Sequence, residues 1–303
     1  MTLLELIEDG ARQFEAAQLS YGHGTTNAFD EAAWLTLWKL GLPLDTPLHG
    51  EDSEPNRALA PADIAQVAIL FEARIRTRKP AAYLTQEAWL QGFSFYVDER
   101  SIVPRSLIAE LLVDGSIDYW LSESTVRVLD LCTGNGSIGL IAAHVYPDVH
   151  VVGADLSPDA LAVAAINVER HGMQARMRLV QSDGMNAPEL QAKGPFDLIL
   201  CNPPYVNAQS MAELPKEYLA EPFMALDGNR HGSGDGMDFV RDLFQTVTTH
   251  MTADAVLVLE IGHERSYFEA AFPHLNAVWL DTSAGADQVL LLTRKDLEHP
   301  RGG

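Results

Sequence analysis

The spacing of apolar positions predicts helices in the first part of the chain. Apolar residues recur near the 3.6-residue helical period over residues 2–19 and 28–41, and a third helix is predicted over residues 61–78. Gly41 and the proline two residues after it end the second of these segments. We therefore expect residues 1–83 to form an N-terminal, all-helical domain.

Residues 84–104 follow a different pattern. The stretch GFSFYVD at 92–98 alternates aromatic residues with small or polar ones, as the strand of a hairpin does. Val103, Pro104 and Arg105 then lead into a helix predicted over residues 106–121. This region is interpreted as a β-hairpin connector between two domains.

From residue 105 to residue 303, predicted strands and helices alternate. Strands are predicted at 126–131, 149–155, 176–181, 196–201, 254–261, 276–281 and 287–293, and helices at 137–146, 157–172 and 236–251. Such alternation favours a parallel, doubly wound sheet with helices on both faces. The predicted fold class is therefore α/β, with a seven-stranded Rossmann-like domain after the helical one.

Composition adds a strong negative charge to this picture. The 303 residues include 42 acidic and 21 basic side chains, a formal net charge of −21. Because phosphate binding depends on Lys and Arg, direct nucleic-acid binding is not expected, whereas a basic protein would be attracted. Acidity that only maintains solubility is the alternative.

The chain shows no sign of a membrane segment, a disulfide framework or a metal site. No apolar run is long enough to span a bilayer and no signal peptide is apparent, so a cytoplasmic location without membrane partners is expected. Cys132 and Cys201 are expected to be reduced thiols, and the histidines lack the spacing of metal ligands.

A glycine-rich stretch, DLCTGNGSIG at 130–139, lies between the first strand of the second domain and its helix. Gly134, Gly136 and Gly139 form G-x-G-x-x-G, which permits a tight turn and close approach of a nucleotide-like ligand. Asp155 ends the next strand about 20 residues on, a spacing that suits a carboxylate binding the ribose hydroxyls of an adenosine. A nicotinamide dinucleotide and S-adenosylmethionine both fit these features.

The stretch LILCNPPYVN at 198–207 places an amide, two prolines and an aromatic ring after a buried strand. The prolines end the strand and restrict the residues before them, at the edge of the sheet where open α/β folds bind ligands. The Asn202 side-chain oxygen and the Pro203 carbonyl can accept two N–H bonds from a planar amide or aniline-like nitrogen, and Tyr205 can pack on the flat group. The segment from Asn202 to Tyr205 resembles the signature of amino methyltransferases that use S-adenosylmethionine. With such orientation of the nitrogen, this resemblance favours methyl transfer over hydride transfer.

The same tetrapeptide would serve methylation of adenine N6 in DNA or of a glutamine side chain in protein. A DNA enzyme must hold and unstack a polyanion, and a net charge of −21 without a basic cluster opposes this. The glutamine alternative is favoured.

From LDLCTGNGSIGL through CNPPYVN, and over nearly the whole chain, the sequence resembles the protein glutamine methyltransferases of the HemK type. Residues 21–35, 103–112, 211–228 and 235–244 are similar to the branch that methylates large-subunit ribosomal protein L3. The release-factor branch typically has Pro-Glu-Thr-Glu where this chain has Ser106 to Ala109. The glycine-containing stretch at 228–238 is longer than the turn expected there.

This resemblance implies methyl transfer from S-adenosylmethionine to a glutamine side-chain amide of ribosomal protein L3, with S-adenosylhomocysteine as product. The helical domain would help to select the protein substrate. Methylation of a peptide chain release factor is the alternative. Two alternatives are more distant: a nicotinamide oxidoreductase, and a catalytically silent assembly factor that binds the same partner.

The resemblance also assigns residues to the site. The implied cofactor-binding residues are Asp130, Thr133, Gly134, Gly136, Asp155, Asp183 and Asn202. The implied catalytic residues are Asn202, Pro203 and Tyr205, and the implied substrate-binding residues are these three with Pro204 and Phe95.

Several side chains near the predicted site have two interpretations each. Phe95 either contributes to the pocket wall or belongs to the core of the hairpin, and Arg105 either faces the cofactor or caps the following helix. Glu260 points into the cleft or into a cap. Cys132 and Cys201, on neighbouring strands, are expected to lie close together as packing residues, with redox control as the alternative.

Overall fold

The computed structural model describes residues 1–48 and 56–298. The chain groups into two compact units. The first consists of Met1–Ala88 with Pro215–Ala220, and the second of Trp89–Leu214 with the chain from Glu221 onward. The division predicted from the sequence, 1–83, 84–104 and 105–303, stays a prediction.

The described residues of the first unit include the α-helices α1 (Leu3–Ala16), α2 (Ala28–Leu40), α3 (Pro61–Thr77) and α4 (Ala81–Thr85). A capping box of Thr2 and Glu5 begins α1, and Asn27 caps α2. Gly41 ends α2 in the left-handed conformation that glycine tolerates. The helices predicted from apolar spacing are confirmed.

Apolar side chains of α1, α2 and α3 form the core of this unit. Phe14 and Phe71 meet edge to face with ring centroids 5.2 Å apart. Gly10 permits this packing, because a Cβ there would lie 2.3 Å from the Phe71 ring.

A buried ionic cluster crosses the same core. Arg74 is fully buried; its Nε lies 2.6 Å from Glu31 Oε1 and its Nη1 lies 3.6 Å from Glu217 Oε1. Arg78 Nη1 also approaches Glu217, at 3.2 Å. Burial raises the pKa of Glu31, and the charge of Arg74 opposes that rise. Glu217 thereby joins the segment 215–220 to the helices of this unit.

The chain from residue 88 onward contains a hairpin, a seven-stranded sheet and flanking helices. The strands are β1 (Ala88–Leu90), β2 (Phe93–Phe95), β3 (Arg127–Leu131), β4 (His150–Asp155), β5 (Met177–Gln181), β6 (Phe196–Cys201), β7 (Met251–Glu260), β8 (Val278–Thr282) and β9 (Gly285–Thr293). The helices are α5 (Ile108–Val113), α6 (Ser137–Val145), α7 (Pro158–Arg170), α8 (Pro188–Lys193), α9 (Ala208–Glu213), α10 (Asp238–Thr246), α11 (Arg265–Ala271) and α12 (Arg294–Glu298).

The seven strands of the sheet lie in the order β5-β4-β3-β6-β7-β9-β8. The first five are parallel, whereas β9 is antiparallel to both β7 and β8. The expectation of a parallel sheet is therefore wrong for the last pair, because a short turn joins β8 to β9 and such turns connect antiparallel strands. Seven strands and a doubly wound arrangement are confirmed.

Alternate residues of the central strands face two apolar cores. Val128 and Leu198 pack with residues of α5, α6 and α7, and Leu129 and Ile199 pack with residues of α8, α10 and α11. Among residues 1–48 and 56–298, no helix has both the length and the apolar composition that spanning a bilayer requires.

Two predicted helices are shorter than expected. The helix predicted over 106–121 is limited to α5, and a 3-10 turn at Asp118–Trp120 follows Gly115, which has a positive φ of 74°. The helix predicted over 236–251 ends at Thr246 and continues as a 3-10 turn, Val247–His250.

Glu260, the last residue of β7, caps the start of α5. Its Oε2 accepts the Ser106 hydroxyl at 2.5 Å and the Leu107 N–H at 3.0 Å. Burial raises the pKa of this carboxyl to about 7, although the hydrogen bond from Ser106 lowers it. Of its two interpretations, the cap is the one observed.

Replacing Glu260 by glutamine should flatten the pH dependence of stability. The folded state holds the Glu260 proton up to about pH 7, whereas the unfolded chain releases it near 4.5. Stability is therefore lost as pH rises through this window, by an amount on the order of 3 kcal/mol for a fully buried group. Glutamine keeps an acceptor oxygen and has no proton to release. Urea unfolding at pH 5 and pH 8 measures the effect, and parallel pH profiles for wild type and E260Q would contradict it.

Candidate active site

A cavity of about 450 Å³ lies in the second unit, at the carboxyl ends of β3, β4, β5 and β6. From β3, the chain adds β4 and β5 on one side of the sheet and then β6 and β7 on the other. Ligands of open α/β sheets bind at such a switch point in the strand order. The volume is within the range of small-molecule sites. Its wall includes Cys132, Gly134, Asp155, Leu156, Ser182, Asp183, Asn202, Pro204 and residues 222–225.

The glycine-rich stretch between β3 and α6 brings only part of its predicted set to the cavity. Gly134 lies on the wall, whereas Asp130, Thr133 and Gly136 do not. Asp130 is fully buried and accepts the Thr133 hydroxyl and the Gly139 N–H, the latter at 2.9 Å. These side chains therefore shape the turn from behind the wall.

Asp130 has one oxygen that the rest of the site leaves open. Burial raises its pKa to about 7, while the bonds from Thr133 and Gly139 lower it. Its Oδ1 has no hydrogen-bond partner among the described residues. A buried acceptor without a partner carries a cost unless a further donor, such as an ammonium group or water, completes it.

Asp155, at the end of β4, is held in one orientation on the cavity wall. Its Oδ2 accepts the Gly134 N–H at 2.8 Å and its Oδ1 accepts the Ser157 N–H at 2.9 Å. Burial raises the pKa of this carboxyl and the backbone bonds lower it. Each oxygen keeps a lone pair, and exposed Leu156 offers an apolar surface beside it. This combination fits the diol and flat base of an adenosine.

Asp183, two residues after β5, also lies on the wall. Its Oδ1 is 2.9 Å from Arg230 Nη2, and Arg230 lines the same cavity. Sequence reasoning predicted Asp183 but missed Arg230. A lone arginine in a glycine-rich loop carries no periodic signal, and its partner is 47 residues away.

The Asn-Pro-Pro-Tyr segment follows β6, and its residues face different surroundings. Asn202 and Pro204 lie on the cavity wall, and Pro203 is buried. The Tyr205 ring packs against Gly262, where a Cβ would lie 2.6 Å from Tyr205 Cε2. The Tyr205 carbonyl packs still more closely against Gly236, where a Cβ would lie 2.1 Å from the oxygen. The tetrapeptide therefore presents an amide to the cavity from a closely packed backbone.

The two cysteine thiols lie close together, as expected for neighbouring strands. Cys132 is on the cavity wall and Cys201 is buried at the end of β6. The hydrogen bond with Cys201, together with burial, raises the pKa of Cys132, which keeps this thiol protonated. Cys132 also has a positive φ of 60°, unusual for a residue other than glycine.

Phe95 and Arg105 are not on the cavity wall. Phe95 is fully buried and stacks on His171 with ring centroids 5.0 Å apart. Arg105 makes a two-point ion pair with buried Glu221, at 2.6 and 2.8 Å, and Glu221 also accepts the Val103 N–H. Because Glu221 immediately precedes wall residues 222–225, this pair fixes a part of the wall that sequence reasoning missed.

Comparisons with known proteins identify relatives of the whole chain. A family model described as "Methyltransferase small domain" matches residues 116–228. A protein of Bordetella pertussis named ribosomal protein uL3 glutamine methyltransferase is 47% identical, with 98% of this chain and 96% of that protein covered. Proteins of the same name from Burkholderia pseudomallei and Bradyrhizobium diazoefficiens are 47% and 39% identical, covering 98% of this chain and 95% and 92% of theirs.

Solved structures support the fold. The hMettl16 catalytic domain, in complex with an RNA hairpin of the MAT2A 3′UTR, aligns with a TM-score of 0.52 at 12% identity. The alignment covers 85% of this chain and 91% of that one. Identity this low speaks for the methyltransferase fold alone. Relatives that are 39–47% identical over 98% of this chain establish its family. The chain belongs to the family of ribosomal protein uL3 glutamine methyltransferases.

Proposed function

We propose that this protein transfers a methyl group from S-adenosylmethionine to the side-chain amide nitrogen of a glutamine in ribosomal protein uL3. The observation that carries this proposal is the position of Asn202 on the wall of the cavity that Asp155 and Gly134 also line. An amide acceptor and a carboxylate suited to a ribose thus share one site. The names of the relatives supply the identity of the substrate.

The cofactor would supply an electrophilic methyl group and leave as S-adenosylhomocysteine. On the fit described above, Asp155 would bind the ribose hydroxyls of the cofactor and Leu156 would pack on its base. Asp130, which lies behind the wall, would support the glycine-rich turn through Thr133 and Gly139. Asp183 lies on the same wall and forms an ion pair with Arg230. It would therefore both shape the wall and contact the cofactor.

The chain's own contribution to the chemistry is orientation. The Asn202 side-chain oxygen and the Pro203 carbonyl would each accept one N–H of the glutamine amide, with the flat group against Pro204 and Tyr205. Acceptors held in place favour the positive charge that develops on nitrogen as the N–C bond forms. The methylated nitrogen then gives its extra proton to water, so no side chain needs to be a strong base.

Charge supports a protein substrate of basic character. A net charge of −21 would attract a basic ribosomal protein and raise the rate of encounter. Action on a ribosomal protein also implies a cytoplasmic site of action.

The test is a transfer assay with radiolabelled S-adenosylmethionine, in which uL3 and a peptide chain release factor are offered side by side. We expect label on uL3 alone, mapped by mass spectrometry to one glutamine. Label on the release factor alone would keep the chemistry and refute the substrate. No label on either protein, with a fluorescence change on titration with NADH, would refute methyl transfer.

A further inference from the structure

The loop of residues 227–238, called the brace loop below, contacts the segment that follows the amide-binding tetrapeptide. The Val206 N–H donates to Leu226 O at 2.9 Å, and the Gly228 N–H donates to Val206 O at 3.1 Å. Asp227 also forms a parallel bridge with Val206. The backbone next to Tyr205 is therefore bonded to the beginning of the brace loop.

Asn229 makes a second connection through its side chain. Its Nδ2 donates to Val206 O at 3.0 Å and to Asp227 Oδ1 at 2.6 Å, while its Oδ1 accepts the Gly236 N–H at 2.9 Å. One amide thus joins the two ends of the brace loop and attaches both to Val206.

Gly236 brings the far end of the brace loop onto Tyr205. A Cβ at this position would lie 2.1 Å from the Tyr205 carbonyl oxygen, so only glycine allows the approach. On the other side, the Tyr205 ring is packed against Gly262. Tyr205 is therefore enclosed between two glycines, and its backbone position depends on Gly236.

The brace loop also reaches the opposite side of the cavity. Arg230 pairs with Asp183, which follows β5, whereas Val206 follows β6. Two strands, β4 and β3, separate β5 from β6, so these attachments lie roughly 14 Å apart at the usual strand spacing. The loop connects the wall that holds Asp183 to the segment that holds the amide acceptors.

We propose that the brace loop is a positioning element for methyl transfer, and that Gly236 and Asn229 are its positioning residues. By fixing Tyr205 and Val206, they keep the acceptors of Asn202 and Pro203 aligned with the cofactor side of the cavity. This inference rests on the proposed function, because it assigns the loop a part in that same reaction.

The first test compares two glycine substitutions within the loop. Gly236 and Gly232 have nearly equal positive φ values, 79° and 83°, but a Cβ at Gly232 would meet nothing within 4 Å. G236A and G232A therefore share the backbone strain and differ in the contact with Tyr205. We expect G236A to lower kcat by on the order of 10- to 100-fold, with KM for S-adenosylmethionine within about threefold of wild type and G232A close to wild type.

A milder variant keeps the test decisive if G236A does not fold. N229A removes the three side-chain bonds of Asn229, and N276A, at an exposed position, is its matched control. The Ala208 N–H donates to Gly234 O of the brace loop at 3.1 Å, as the Val206 N–H does to Leu226 O. We expect N229A to lower kcat about 10-fold and to speed hydrogen exchange of the Val206 and Ala208 amides by a similar factor. N276A should change neither.

Two results would overturn the proposal. Unchanged exchange at Val206 and Ala208 in N229A would show that the loop is not a brace, and faster exchange with unchanged kcat would show that the brace is not needed for the reaction. Hydrogen exchange is measured without substrate, so it tests the brace loop independently of methyl transfer. Failure of the wild-type protein to methylate uL3 would instead refute the proposed function.

Discussion

Replacing Asn202 by alanine should lower kcat for methylation of uL3 by on the order of 10²- to 10³-fold. This is the usual cost of removing one fixed polar group that stabilises the charge developing in the transition state. Asn202 is the one member of the tetrapeptide whose side chain brings an amide to the cavity wall. Alanine removes the acceptor and leaves the restricted backbone of Pro203 and Pro204 in place. The loss should therefore fall on the reaction rather than on folding.

Single-turnover rates at saturating S-adenosylmethionine measure this effect without a contribution from product release. N276A, the same substitution at an exposed asparagine, is the control and should retain the wild-type rate. An N202A enzyme with an unchanged single-turnover rate but a raised KM for the cofactor would contradict the acceptor role and make Asn202 a cofactor contact only.

Replacing Arg74 by methionine should destabilise the helical unit by about 3–5 kcal/mol, as expected when one partner of a buried ion pair is removed. Arg74 and Glu31 are both buried at a separation of 2.6 Å, and methionine would leave the Glu31 carboxylate without its cation. Glu217 would lose one cation and keep Arg78 at 3.2 Å. The uncompensated charge of Glu31 is therefore the main cost.

Hydrogen exchange of the α1 to α3 amides, followed with increasing urea, measures the stability of this unit directly. R12M is the matched control, because Arg12 is 64% exposed and its pair with Asp9 lies on the surface. Such pairs contribute about 1 kcal/mol or less. Adding E31Q to R74M should recover part of the loss; a double variant no more stable than R74M would show that packing of the arginine stem, not charge, sets the effect.

Regular elements of this fold could be predicted from local patterns, whereas contacts between distant segments could not. The helical period identified α1 to α3, and short apolar runs identified all seven strands of the sheet. The antiparallel insertion of β9 between β7 and β8 was missed, because pairing direction depends on a short turn and on neighbours that no local window contains.

The same distinction applies to the cavity. Motifs indicated Gly134, Asp155 and Asn202, which the structure brings to one wall, since each ends or follows a strand of the parallel part of the sheet. They did not separate residues on the wall from those behind it, such as Asp130, because both kinds fall within one short stretch at the end of β3 and in the turn after it. Residues 222–225 were missed since their position depends on the pair of Arg105 with Glu221, 116 residues apart.

The order of strands has a consequence for synthesis of the chain. β9 is synthesised after both β7 and β8, yet it lies between them in the sheet. The five parallel strands can pair once β7 has emerged, but one edge of β7 then keeps its N–H and C=O groups unpaired until residues 285–293 follow. An open, apolar edge of this kind can pair with another unfinished chain. A polypeptide released before Gly285 should therefore aggregate, and the nascent chain is vulnerable to such pairing between the synthesis of β7 and the synthesis of β9.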